Sequence, residues 1–264
     1  MLQGVSRMVT RSIVFVHGMF MTPLCWEHWI ARFDAQGYRC TAPAWPGRDK
    51  PIATLRAGHP DAALGRLNLS QVVEHCANHV RSLPERPILI GHSMGGLVVQ
   101  LLLQQDLAAA GVAVHSAPPA GVFTPSWSFL KANWPMISPF VPRLRPRQMS
   151  FADFQYAFVN TLPLAEQQAA YERYVVPESR LVPQESLTAA GRVDFTKSHV
   201  PLLLIAGSAD HIVPAALNRT NYARYRASSS VTDYKEFGGR VHFTIGQSNW
   251  EEVADYVLAW LRDK

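Results

Sequence analysis

Ser93 lies in the run Gly91-His92-Ser93-Met94-Gly95, a G-x-S-x-G pattern. Ile88, Leu89 and Ile90 precede it as a short apolar run rich in β-branched residues, the composition of a strand buried on both faces. Beyond Gly96, Leu97, Val98, Val99, Leu101, Leu102 and Leu103 continue as an apolar helix. A serine on so tight a strand-to-helix turn takes up strained backbone geometry, and the residues two before and two after it must be small. It also stands at a helix N-terminus, whose free N–H groups and dipole favour a developing negative charge. A serine hydroxyl is a poor nucleophile near neutral pH; it needs a base within hydrogen-bond reach, and the base needs a partner that fixes its tautomer. Downstream, Asp210 sits in the turn Gly207-Ser208-Ala209-Asp210-His211, and His242 in the loop Gly238-Gly239-Arg240-Val241-His242-Phe243. The catalytic candidates are therefore Ser93, Asp210 and His242, in the order serine, acid, histidine.

Other residues compete for these roles. His92 is inside the turn itself, and His211 follows the acid and is expected to point elsewhere. The segment His115-Ser116-Ala117-Pro118-Pro119 contains no acid, which leaves Asp233, inside a predicted strand, as a distant second to Asp210. An acyl-transfer site also needs two N–H donors for an oxyanion. The residue after the nucleophile, Met94, supplies one; the loop His17-Gly18-Met19-Phe20, leaving a strand with a glycine, supplies the other through Met19, with Phe20 as the runner-up. His17, Phe20, Trp45, Trp134 and Phe243 are the candidates for lining the substrate pocket, Trp45 because it lies in a rigid loop at the end of a parallel strand.

These residues must be held by a regular frame. Ser12–Val16, Tyr38–Ala42, Ile88–Ile90, Gly111–Val114, Leu202–Ala206 and Val231–Phe237 read as strands. Helical patterns fall between them: 23–36 with its aromatic core face, a helix capped by Ser70 and running to Val80, the helix after Ser93, 214–225, and 249–261. Residues 48–69 read as a long irregular connection. Strand and helix alternate, so the expected fold is α/β: a mostly parallel sheet of about six strands with helices on both faces. Residues 120–195 break that rhythm with many prolines and aromatics and short helical patterns such as 150–159 and 164–174, too long and apolar for a loop. They are expected to form a helical cap over Ser93, inserted into a core domain of residues 1–119 and 196–264. Arg143, Arg145 and Arg147, interleaved with Leu144 and Pro146, are expected to form a solvated face rather than a docking point for an acidic substrate.

Composition excludes several other classes. With 48% hydrophobic and 17% charged residues among 264, the chain has the balance of a soluble globular protein and lacks an apolar run long enough to span a membrane. The net charge of +5 is scattered, without the basic stripe or module motif of a nucleic-acid protein. Three cysteines, Cys25, Cys40 and Cys76, lack C-x-x-C spacing and read as reduced packing residues. His75 and His79 are four apart on a predicted helix, but no third ligand is evident and no metal is expected. The opening residues MLQGVSRMVTRS have no apolar core of signal-peptide length, which makes the cytoplasm the expected location.

The stretches HGMF, GHSMGG, GSADHIVP and the His242 loop, in this order, resemble the α/β-hydrolase fold superfamily over nearly the whole chain. The opening HGMF followed four residues later by Cys25-Trp26 resembles the compact group that includes plant methylesterases and hydroxynitrile lyases. Phe243 stands where the lyases carry a lysine, and the nucleophile is serine where haloalkane dehalogenases and epoxide hydrolases use aspartate. The resemblance therefore implies a serine carboxylesterase or lactonase acting on a small, largely apolar ester through an acyl-enzyme, without cofactor, and compatible with a homodimer. Hydrolysis of a carbon–carbon bond, a cofactor-free perhydrolase activity, and a non-catalytic ligand-binding role are the alternatives within the same fold.

Overall fold

Along β1 (Ser12–Val16), Ile13 and Phe15 enter one apolar layer and Val14 and Val16 the other, so the strand is buried on both sides. The computed structural model describes residues 10–264; the opening MLQGVSRMVTRS lies largely outside the described residues. β2 (Arg39–Thr41), β3 (Ile88–His92), β4 (Ala110–Val114), β5 (Leu202–Gly207) and β6 (Thr232–Phe237) join β1 in a sheet of order β2-β1-β3-β4-β5-β6. Every neighbouring pair is parallel. Eleven α-helices are described: α1 (Glu27–Asp34), α2 (Ile52–Ala57), α3 (Ala62–Arg66), α4 (Leu69–Arg81), α5 (Met94–Leu103), α6 (Trp127–Ile137), α7 (Phe151–Ala157), α8 (Leu164–Tyr174), α9 (Leu181–Ser186), α10 (Ala215–Arg224) and α11 (Glu251–Arg262). None of them is long and apolar enough to cross a membrane.

The two faces of the sheet are covered by different helices. On one, Phe15 packs on Trp26 and Phe33 with ring centroids 4.9 and 5.6 Å apart, and α11 adds Val253, Val257 and Leu261 to the same core. The other face receives Val72, Cys76 and Val80 of α4 and Leu97, Val98 and Leu101 of α5. The aromatics of residues 23–36 are thus core. Cys25, Cys40 and Cys76 are free, and burial raises each thiol above its ordinary value, Cys76 to about 12.

The frame departs from the sequence expectation in three places. Residues 48–69 are not irregular: they hold α2 and α3, with the Asp61 side chain capping α3 by accepting from the N–H groups of Ala63 and Leu64. Helices of six and five residues are too short to show a period. The cap of α4 is Asn68 rather than Ser70, because Asn68 and Gln71 form a reciprocal capping box that starts the helix two residues earlier. Ser70 instead donates to Glu185. Between β4 and β5 lie α6 to α9; Pro135 inside α6 hid its helical pattern, and α9, at six residues, is too short to show a period.

Candidate active site

The turn from β3 to α5 is built for close approach. Ser93 has φ of +57°, in the left-handed region, and a Cβ placed on Gly91 would stand 2.1 Å from the carbonyl oxygen of Gly95. The strained turn is tied down from β4: the Ser93 N–H donates to Val114 O at 3.0 Å, and its carbonyl accepts the N–H of Ala117 at 2.9 Å. Met94 is the first residue of α5, where a backbone N–H has no intrahelical acceptor.

Asp210 and His242 come from the loops that follow β5 and β6. The Ser93 hydroxyl lies 2.9 Å from His242 Nε2, and His242 Nδ1 lies 2.8 Å from Asp210 Oδ2. Asp210 Oδ1 accepts the N–H groups of Ile212 and Val213, both at 2.8 Å. The imidazole of His242 is fully buried, with the Phe158 ring edge-on at 5.0 Å. Its backbone is fixed as well: His242 O accepts from His92 Nε2 at 2.7 Å, and the N–H of Phe243 donates to Phe158 O. His211 turns away, as expected, with Nδ1 donating to Tyr156 O, and Asp233 accepts from Trp260 Nε1.

Sequence reasoning missed a second histidine on the same acid. His115, at φ of +48° just beyond β4, donates through Nδ1 to Asp210 Oδ2 at 2.8 Å. The carboxylate of Asp210 therefore receives four donors, two backbone and two imidazole. Burial by itself pushes this carboxyl up, but the His242 charge and the hydrogen bonds from His115 and His242 outweigh it and hold the group below the ordinary carboxylate range. Burial lowers the imidazoles of His92 and His115. The available signal was positional: His115 ends a parallel strand at the same sheet edge as the other candidates. His115, Asp210 and His242 form the group of potential metal ligands among the described residues. Both Nδ1 atoms point at one carboxylate oxygen at hydrogen-bond distance, instead of all ligands pointing at a common centre about 2 Å from each.

The loop after β1 passes directly against Ser93. A Cβ on Gly18 would lie 2.8 Å from Ser93 Cβ and 2.9 Å from His92 O, so only glycine admits this approach. Phe20, at φ of +63°, donates its N–H to Glu178 Oε2 at 3.0 Å. Glu178 is fully buried, and its other oxygen pairs with Arg48 Nη2 at 2.6 Å. The N–H of Phe20 is thus occupied, which leaves Met19 as the donor candidate on this loop.

A cavity of about 260 Å³ opens over Ser93, lined by Met19, Phe20 and Met94 below and by Met136, Met149, Tyr156 and Phe158 from the segment between β4 and β5. Of the five pocket candidates, only Phe20 lines it. His17 is buried beneath the loop, with Nδ1 donating to Gly18 O and Nε2 accepting the N–H of Trp45, and burial lowers its imidazole to about 3. Trp45 is buried against that ring at 4.6 Å, and Phe243 is buried against Tyr174 at 5.4 Å. Trp134 points out from α6, whose other side supplies Ala132, Asn133 and Met136 to the cavity. Arg147 also reaches the cavity lining and pairs with Asp153 at 2.6 Å, whereas Arg143 bonds to Gln184 on the exterior.

A parallel sheet carrying a strand–serine–helix turn, with an acid and a histidine on later strand ends, defines an α/β-hydrolase architecture. The chain belongs to the alpha/beta hydrolase family, whose model matches residues 13–256. A 115-residue stretch is 31% identical to "Probable esterase PIR7A" of Oryza sativa subsp. indica, covering 42% of this chain and 40% of that protein. The pyrethroid hydrolase from Sphingobium faniae JZ-2 superposes with a TM-score of 0.67 at 19% identity, over 96% of this chain and 97% of that one. An extracellular alpha/beta-hydrolase from a Paenibacillus species gives a TM-score of 0.68 at 21% identity, over 94% and 98%. Identities this low speak to the fold.

Proposed function

We propose that the protein is a serine carboxylesterase or lactonase in which Ser93, His242 and Asp210 act as a catalytic triad. The observation that carries this reading is His242 bridging the other two, Nε2 at 2.9 Å from the Ser93 hydroxyl and Nδ1 at 2.8 Å from Asp210. His242 takes the hydroxyl proton as Ser93 Oγ attacks the ester carbonyl, and the N–H groups of Met19 and Met94 hold the oxyanion. The bond to the alcohol then breaks, and His242 returns the proton to the leaving oxygen, which generates an acyl-Ser93. Water attacks that acyl group with His242 again as base; the acid departs and the Ser93 hydroxyl is restored. Asp210 stabilises the imidazolium formed in each half-reaction, and its four donors support an ionised carboxylate.

The lining of the cavity by Met19, Met94, Met136, Met149 and Phe158 favours a largely apolar acyl or alcohol group. Residues 120–195 are then the cap of a core made from 1–119 and 196–264, and they exclude water from the reacting centre. The test is a panel of p-nitrophenyl acyl esters, lactones and vinylogous diketones with the native protein and Ser93→Ala. Ester or lactone turnover that falls by several orders of magnitude in Ser93→Ala supports the reading. Unchanged turnover removes Ser93 from the mechanism, and turnover confined to the diketones replaces ester hydrolysis with carbon–carbon cleavage.

A further inference from the structure

The helix that lines the cavity also carries an apolar ridge that none of the described residues covers. On α6, Trp127, Leu130 and Trp134 are 76%, 42% and 46% exposed, at spacings of three and four residues that place them in one row. Phe123 ahead of the helix is 67% exposed and Phe140 beyond it 86%. Ala132 and Met136 occupy the opposite side and face the cavity, so the ridge is not the unfilled half of the protein's own core. Five large apolar side chains left in water within eighteen residues are a marked departure from the scattered single exposures of an ordinary surface.

The charges of this segment indicate what covers it. Residues 120–147 contain Lys131, Arg143, Arg145 and Arg147 and no Asp or Glu. Arg147 is paired with Asp153, while Lys131, Arg143 and Arg145 have no carboxylate within ion-pair distance among the described residues. Arg143 and Arg145 flank Leu144, which is itself half exposed. Exposed Trp and Phe with interleaved cations match a surface that is apolar at depth and anionic at its boundary. A second copy of this chain matches poorly, because a twofold contact sets the same acid-free, cationic segment against itself.

We propose that residues 123–145 form a docking surface for an anionic phospholipid bilayer, with Trp127, Trp134 and Phe140 entering the headgroup boundary and Arg143 and Arg145 contacting lipid phosphates. Docking of this kind is independent of the hydrolytic reading and is tested without substrate. The full chain is sedimented with vesicles of phosphatidylcholine alone and of phosphatidylcholine mixed equally with phosphatidylglycerol, at low and high salt. The native protein is expected to sediment with the anionic vesicles, less at high salt, and weakly with the neutral ones. Replacing Arg143 and Arg145 by Gln is expected to weaken the partition by on the order of tenfold or more. The triple variant Trp127→Ser, Leu130→Ser, Trp134→Ser, checked by circular dichroism, is expected to abolish it, and Phe140→Asp alone to weaken it without risk to folding. The proposal is overturned if the native protein ignores anionic vesicles at low salt, or if folded ridge variants sediment as the native protein does. It is equally overturned if light scattering shows a native dimer that the triple variant converts to monomer, since the ridge then serves self-association.

Discussion

The N–H of Phe20 and the buried carboxylate of Glu178 meet at 3.0 Å, joining the loop after β1 to the segment that leads into α9, 158 positions away. The contact fixes Phe20 in its left-handed conformation and, with it, the direction of the preceding peptide, Met19. Glu178 is held in turn by Arg48, whose side chain is equally buried. Glu178→Gln is expected to destabilise the protein by about 3–5 kcal/mol in urea denaturation, because Arg48 is left buried without its counter-charge. Adding Arg48→Met should recover part of that loss. If Glu178→Gln keeps native stability and native kcat, the pair neither supports the fold nor aims the loop.

His115 and His242 share one oxygen of Asp210, but only His242 reaches Ser93. His115→Ala is expected to cost about 1.5–3 kcal/mol of stability, the scale of a hydrogen bond to a charged group, and to lower kcat with little change in KM. Asp210→Asn is expected to be far more severe in turnover, on the order of 10⁴, since it disturbs the tautomer of His242 itself. Steady-state kinetics on both variants decides the order; a His115→Ala loss equal to that of Asp210→Asn contradicts a merely positioning role for His115.

Acid should unfold the protein earlier than its surface charge alone requires. Burial lowers His17, His92 and His115 below the ordinary imidazole value, so the folded chain keeps them neutral where the unfolded chain has already taken up protons. Below about pH 6.5 the unfolded state therefore binds more protons, and stability falls as pH falls, by up to about 1.4 kcal/mol per pH unit for each histidine. Asp210 acts in the same direction at lower pH: its depressed folded value gives stability that is present above the unfolded value near 3.9 and lost as pH drops through the folded one. Thermal melts from pH 8 to 4 should show a plateau above neutrality and a steep decline below pH 6.5, shallower in His115→Gln. A flat profile down to pH 4.5 contradicts it.

Chain-length preference should follow the inner side of α6 rather than its outer ridge. Ala132 lines the cavity and Trp134 does not. Ala132→Phe is expected to narrow the cavity and shift activity toward shorter acyl chains, raising KM for longer ones, whereas Trp134→Ala leaves the acyl profile as it is. An acyl series assayed on both variants tests this, and a shift in Trp134→Ala alone would reverse the assignment.

What the sequence made legible is local. The strands of the parallel sheet announce themselves as short apolar runs, and Ser93, Asp210 and His242 each sit on a recognisable turn or loop at a strand end. Residues whose role arises only when distant segments meet were invisible: His115 finds Asp210 across 95 positions, and Glu178 finds Phe20 and Arg48 only in the folded chain. Trp134 was misplaced because the facing of α6 depends on a helical phase that Pro135 obscures. His17 and Phe243 stand close to site residues in sequence and Trp45 lies in a loop at a strand end, yet all three are buried outside the cavity lining.

The most direct test of the central claim is intact-mass spectrometry after treatment with a fluorophosphonate, followed by peptide mapping. Such a reagent needs a serine activated by a neighbouring base, as the 2.9 Å contact between the Ser93 hydroxyl and His242 Nε2 supports. A single adduct is expected, mapped to Ser93, absent from Ser93→Ala and strongly slowed in His242→Ala. No adduct on the native protein, or an adduct that persists in Ser93→Ala, contradicts the assignment of Ser93 as the nucleophile.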